Sequence, residues 1–146
     1  KHMLNENNVV DYLIQSLEVN GYSVKQALYD NQKGIDVIAQ NHNSTLFIEA
    51  KGATSGVETS SRYGKPFNSN QVFDMVSKVI FKALSNTNDA KFDDKRDFTC
   101  IALPNIEIFK KTHAKVSRHL TMLGIITFWV SEDGGVAIEG KLNKNN

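Results

Sequence analysis

The chain alternates between segments whose apolar residues recur every three or four positions and short runs that are almost wholly apolar. The first pattern is typical of helices with one buried face, and Val9, Leu13 and Leu17 show it near the start of the chain. The second is typical of strands covered on both faces. Together they predict helices at residues 5–19, 70–84 and 105–123, and strands at residues 22–29, 35–40, 45–51, 98–103, 125–130 and 136–139.

Helices interspersed with apolar strands predict an α/β protein with a mixed sheet and helices on its faces. We expect one domain over residues 3–142, with residues 1–2 as a cloning remnant and residues 143–146 as a tail. No apolar stretch approaches the about 20 residues needed to cross a membrane, and no signal peptide is recognisable, so we expect a cytoplasmic protein. The net charge of +1 means that any affinity for phosphate must come from local clusters of basic residues.

Three charged residues interrupt two of the predicted strands. Asp36 lies in the strand at residues 35–40, and Glu49 and Lys51 lie in the strand at residues 45–51. Burying an unpaired charge costs several kcal/mol, so a binding partner must offset that cost.

The positions of the two acids follow from the hairpin that joins these strands. Antiparallel pairing closed on the polar turn at residues 41–44 sets Asp36 opposite Glu49, with Cβ atoms about 5 Å apart. Strand alternation puts Lys51 on the same face as Glu49. Two converging carboxylates with an ammonium group beside them predict a site for Mg²⁺, a hard cation that takes oxygen ligands.

Asp36 and the run Glu49-Ala50-Lys51 resemble the motif of the PD-(D/E)xK nuclease superfamily. The segments at residues 34–39 and 47–51 look most like its Mrr-like and Holliday-junction resolvase branch. The resemblance extends over residues 6–84. One departure is that no proline precedes Asp36.

This resemblance implies a restriction-endonuclease-like core, in which a central mixed sheet is flanked by helices on both faces. It also implies a metal-dependent nuclease that hydrolyses phosphodiester bonds, with DNA as the expected partner, Mg²⁺ as cofactor and Mn²⁺ as a substitute.

The resemblance assigns roles to the residues of the motif and to an acid of the first helix. Asp36 and Glu49 would ligate the metal, the backbone carbonyl of Ala50 would add a third oxygen, and Lys51 would position or deprotonate the attacking water. Glu6 matches a carboxylate that resolvase-like members carry on the first helix, facing the metal. The alternative for Glu6 is an ordinary first-turn acid favoured by the helix dipole.

Gln71 opens the helix that follows the loop, where many members of the superfamily place a glutamine near the attacking water. The alternative is a capping box in which Gln71 and Asn68 satisfy backbone amides at the start of the helix.

Basic residues in three places are candidates for contacts with nucleic acid. One pair lies beside Tyr63 in the loop at residues 52–67, one residue lies on the helix after it, and a stripe follows the helix at residues 105–123. Such residues also occur on ordinary solvated surfaces. The candidates are Arg62, Lys65, Lys78, Lys111, Lys115 and Arg118.

Two other functions remain open. The chain could be a non-catalytic nucleic-acid-binding or assembly module on the same scaffold, or an α/β domain whose acids form a structural ion-pair network. A homodimer would cut both strands of a duplex most easily, although no sequence feature identifies an interface.

Overall fold

A computed structural model of the chain describes residues 3–30, 32–54 and 65–144, and in it six strands form one sheet. The first three strands along the chain are paired antiparallel, as are the last two, whereas the third strand pairs parallel with the fourth and the fourth with the fifth. The spatial order of the strands is their order along the chain: β1 (Ser23–Ala27), β2 (Val37–Gln40), β3 (Thr45–Ala50), β4 (Asp97–Pro104), β5 (Ile126–Val130) and β6 (Val136–Glu139).

Helices cover both faces of this sheet. On one face α1 (Glu6–Val19) packs into a core with residues of β2 to β5. On the other face a second core joins β4 and β5 to α2 (Ser69–Asn86), α3 (Glu107–Ala114) and α4 (Ser117–Met122). The predicted α/β class, with a mixed sheet between two layers of helices, is therefore confirmed.

Helix α1 begins and packs as its sequence predicts. The Asn5 side chain accepts a hydrogen bond from the backbone amide of Asn8, and the Asn8 side chain accepts one from the backbone amide of Asn5. The two bonds form a capping box. Leu13 and Leu17 lie buried on the face that meets the sheet. Truncating one such leucine to alanine costs about 2–5 kcal/mol, so this layer is a principal source of stability.

The prediction of one helix over residues 105–123 was wrong. Helix α3 ends at Ala114, Val116 leaves helical geometry with φ −129° and ψ 0°, and α4 begins at Ser117. Leu120 and Phe109 are buried in the same core, while Val116 and Leu123 are 38% and 67% exposed. The break therefore leaves exposed two apolar residues that a continuous helix would place on its buried face.

Helix α2 extends two residues beyond its predicted end, and β2 begins two residues later than predicted. The first difference places Asn86 in α2, and the second places Asp36 just before β2. Within the described part of the chain, no helix has the length and apolar character needed to cross a lipid bilayer.

Candidate functional site

The β2–β3 hairpin brings Asp36 and Glu49 together at one end of the sheet. Gln40 pairs with Thr45 and Val37 with Ile48, so the predicted register is confirmed. Asp36 lies just before β2, where its amide donates to Glu49 Oε2 at 3.4 Å. The amide of Ala50 in turn donates to Asp36 Oδ2 at 2.8 Å. Each acid is thus fixed against the backbone around the other.

Glu49 is a buried carboxylate that lacks full compensation for its charge. The residue is only 2% exposed. Burial, together with the negative charge of Asp36, raises the pKa of Glu49 to about 7, although Lys82, the Asp36 amide and Asn86 act in the opposite direction. The neighbouring lysine and hydrogen-bond donors therefore do not offset the cost of burying this carboxylate beside Asp36.

Glu6 and Lys51 form an ion pair next to these acids. Lys51 Nζ lies 3.7 Å from Glu6 Oε1, and the two side chains are 23% and 32% exposed. Burial, followed by the charge of Asp36, raises the pKa of Glu6, while Lys51 and Lys82 partly lower it. Glu6 is therefore more than an acid at a helix tip, because it faces the charged residues of the hairpin.

A glycine makes this approach of α1 to β3 feasible. A Cβ atom at Gly52 would collide with the backbone of Asn5 and Glu6. The amide of Ala53 donates to the carbonyl of Leu4 at 2.7 Å, which ties the two segments together. Glu6 can thus reach Lys51 because residue 52 has no side chain.

Two residues of α2 that sequence reasoning missed complete the surroundings of Glu49. Asn86 Nδ2 donates to Glu49 Oε2 at 2.8 Å, and Lys82 Nζ lies 3.7 Å from Glu49 Oε1. Asn86 lies beyond the predicted end of the helix at residue 84, so the predicted helix did not include it. The available signal was the spacing of Lys78, Lys82 and Asn86, since residues four apart share one face of a helix.

The donor set fits a hard divalent cation that keeps part of its water shell. No group of three or more His, Cys, Asp or Glu side chains suited to a metal occurs within residues 3–30, 32–54 and 65–144. Mg²⁺ needs only one or two carboxylates, because water and substrate oxygens fill its other positions. Asp36 and Glu49 meet that requirement, while Glu6 pairs with Lys51.

Gln71 is engaged in the cap of α2. Its side-chain oxygen accepts a hydrogen bond from the backbone amide of Asn68 at 2.9 Å. The Asn68 side-chain oxygen accepts one from the backbone amide of Gln71 at 2.9 Å. The capping box proposed as the alternative explanation is therefore present, and a catalytic role for Gln71 stays a prediction.

The basic residues predicted to contact nucleic acid have varied placements. Lys65 and Lys78 are exposed, and Arg62 lies outside the described residues. The remaining three are exposed but divided by the break between α3 and α4, so they do not form a stripe on one helix as predicted: Lys111, Lys115 and Arg118.

Comparisons with known proteins add little to this geometry. No protein family matches the sequence, and no curated protein matches it. A similar solved structure is the crystal structure of an XisH family protein from Nostoc punctiforme, which is 14% identical. The match covers 90% of this chain and 95% of that chain, with a TM-score of 0.48. At this level the likeness does not identify a family for the chain.

Proposed function

We propose that this protein is a metal-dependent nuclease that hydrolyses phosphodiester bonds, with DNA as its expected substrate. The observation that carries the proposal is the buried Glu49 beside Asp36, at the end of two adjacent strands. The pKa of Glu49 is raised to about 7 even though Lys82 lies 3.7 Å from it. A divalent cation would supply the positive charge that this pair of acids lacks.

Each residue of the motif then has a distinct task. Asp36 and Glu49 would hold Mg²⁺, and a bound Mg²⁺ would polarise the scissile phosphate and lower the pKa of a coordinated water. The amide and carbonyl of a residue in an extended strand point to the same edge. The Ala50 amide donates to Asp36, which supports the Ala50 carbonyl as a third oxygen ligand.

Lys51 would serve the reacting phosphate. Its ammonium is partly exposed and held by Glu6 next to the two acids. From there it can position or deprotonate the attacking water and offset the charge that develops on the phosphate. Glu6 would then orient Lys51 as well as contribute to the negative charge of the site.

The Mrr-like and resolvase branch remains the proposed relationship within the superfamily. This relationship is supported by the sequence segments around Asp36 and Glu49. It is also supported by the acid of the first helix, Glu6, which lies beside the lysine of the motif.

A structural ion-pair network is the second candidate, and the pairs Glu6–Lys51 and Glu49–Lys82 favour it. Neighbouring cations do lower the pKa of each acid, but burial and the negative charge of Asp36 outweigh them, so the pKa values of Glu6 and Glu49 are both raised. A non-catalytic nucleic-acid-binding module likewise has no need for paired, uncompensated acids. Titration calorimetry that detects no Mg²⁺ or Mn²⁺ binding would favour the network.

Plasmid cleavage tests the proposal. We expect the wild-type protein to nick or cut DNA with Mg²⁺ or Mn²⁺, to bind Ca²⁺ without turnover, and to be inactive in EDTA. Lys51→Ala should lower the cleavage rate at least about 100-fold while Mn²⁺ binding and the circular dichroism spectrum are retained. Glu49→Ala should lose both cleavage and metal binding.

Lys25→Ala is a matched control, because Lys25 is an exposed lysine of β1, outside the motif. Wild-type cleavage by Lys51→Ala would refute the assignment of the lysine. The products also report assembly, since a homodimer acting on both strands would yield linear plasmid and a monomer would yield nicked circles.

A further inference from the structure

Two side chains from α2 hold the two oxygens of Glu49 in different ways. Asn86 donates to Oε2 over 2.8 Å from a short, neutral side chain. Lys82 reaches Oε1 over 3.7 Å from a long side chain that is 53% exposed. The first contact is a directed hydrogen bond, and the second is a loose ion pair at the rim of the site.

These contacts differ in how they respond to a metal ion. A divalent cation and the Lys82 ammonium carry the same sign of charge and compete for the same carboxylate. The neutral amide of Asn86 does not compete, and a hydrogen bond to a ligating carboxylate fixes the orientation of that ligand.

We propose that Lys82 is an exchangeable counterion of Glu49, which leaves the carboxylate when a divalent cation binds and then pairs with a phosphate of the nucleic acid. Asn86 is the positioning residue that holds Glu49 throughout. This inference rests on the proposed nuclease function and extends it to two residues outside the motif.

The released ammonium has a suitable place to go. Lys82 lies on the same face of α2 as the exposed Lys78, one turn earlier. Its exposed side chain can turn from Glu49 towards a phosphate bound above the hairpin, where Lys51 also lies.

Calorimetric titration with Mn²⁺ at pH 8 tests both roles by the sign of the change. Lys82→Gln removes a competing charge, so the Kd for Mn²⁺ should fall by about three- to tenfold. Lys82→Arg keeps the charge and should bind Mn²⁺ as the wild type does. Asn86→Ala should raise the Kd by about 10- to 100-fold, because the ligand is no longer held.

Lys25→Gln and Asn88→Ala are matched controls at exposed positions, and both should leave the Mn²⁺ Kd unchanged. Thermal melts check the fold. In EDTA, Lys82→Gln should melt below the wild type, and Mn²⁺ should reduce that difference. If Lys82→Gln fails to fold, Lys82→Met retains most of the apolar stem without the charge and takes its place.

DNA binding in Ca²⁺ provides a second readout. Lys82→Gln should bind DNA more weakly than the wild type, and the slope of log K against log salt should decrease by about 1. A purely structural role for Lys82 would not combine tighter metal binding with weaker DNA binding.

The outcomes separate this inference from the proposed function. A wild-type protein that binds no Mn²⁺ overturns both. If the wild type binds Mn²⁺ and cleaves DNA but Lys82→Gln binds Mn²⁺ equally or more weakly, the counterion role fails and the nuclease stands. Wild-type Mn²⁺ affinity in Asn86→Ala removes the positioning role in the same way.

Discussion

At the scale of single residues, the chemistry of the site depends on what surrounds Glu49. Its carboxylate lies between the negative charge of Asp36, the ammonium of Lys82 and the amide of Asn86. The raised pKa means that folding disfavours the ionised form of Glu49 relative to the unfolded chain, so the charge of Glu49 opposes folding when no cation is bound.

This leads to a prediction for stability in EDTA. The pKa of Glu49 is higher in the folded protein, about 7, than its ordinary value of 4.5, so its contribution is present at low pH and is lost as the pH rises towards and through 7. Between pH 5.5 and 8 the wild type should therefore lose about 2 kcal/mol of unfolding free energy relative to Glu49→Gln. Urea denaturation of both proteins at the two pH values measures this difference.

His113 contributes with the opposite sign. Burial lowers the pKa of His113, so protonation destabilises the fold as the pH falls below the ordinary histidine value of 6.5. Because His113 is present in both proteins, its contribution cancels from the comparison. If the unfolding free energies of the wild type and Glu49→Gln change with pH in parallel, the raised pKa of Glu49 is contradicted.

At the scale of elements, the site depends on where α1 begins and where α2 ends. Gly52 lets the first turn of α1 approach the end of β3, and the last turn of α2 carries Asn86 to Glu49. The positions of these helix ends therefore determine which side chains meet the hairpin acids.

We expect Gly52→Ala to disturb this junction. Its new Cβ would meet backbone atoms of Asn5 and Glu6, which cannot move aside without shifting α1. The free energy of unfolding should fall by about 1–3 kcal/mol, and cleavage should fall because the Glu6–Lys51 pair is displaced. Gly135→Ala is the control, since its Cβ would approach only the side chain of Asp133. Equal stability of the two variants would argue against a close contact at Gly52.

The cap of α2 supports a second prediction at this scale. Asn68→Ala and Gln71→Ala each break one half of the capping box, so each should lower the unfolding free energy by about 0.5–1 kcal/mol. Chemical denaturation and plasmid cleavage are measured on both variants. If Gln71 also acts in catalysis, its replacement lowers cleavage more than the replacement of Asn68 does. Equal effects would leave the cap as its role.

At the scale of the whole molecule, the acids lie where the β2–β3 hairpin meets helices from both layers. Glu6 comes from α1 on one face of the sheet, and Lys82 comes from α2 on the other. With a net charge of only +1, the molecule has no general attraction for DNA, so under the proposed function its contacts with DNA would come from basic residues clustered near these acids.

This location predicts which basic residues bind DNA. Lys78 shares the face of α2 that carries Lys82, so Lys78→Ala should weaken DNA binding in Ca²⁺ and reduce the salt slope by about 1. Lys25→Ala, on the edge strand β1, is the control. A salt titration by fluorescence anisotropy measures both. An unchanged slope for Lys78→Ala would contradict this assignment and favour Lys111, Lys115 and Arg118, which lie in and between α3 and α4.

Much of the fold follows from local sequence. Alternating and continuous apolar runs predicted all six strands to within two residues at every end, and the caps at Asn5 and Asn68 mark the starts of α1 and α2. The placement of Asp36 beside Glu49 was also predictable, because a short turn and a period of two residues determine which side chains face each other in a hairpin.

The sequence by itself therefore determined the six strands, helices α1 and α2, the register of the hairpin and the pairing of the two acids. Only the tertiary structure decided that Glu6 meets Lys51 and that Lys82 and Asn86 reach Glu49. It also decided that the predicted helix is interrupted between α3 and α4. Asn86 is 37 residues from Glu49 along the chain. Contacts of that kind arise from how helices pack on the sheet, and periodicity within one segment does not encode the partner that a side chain will meet.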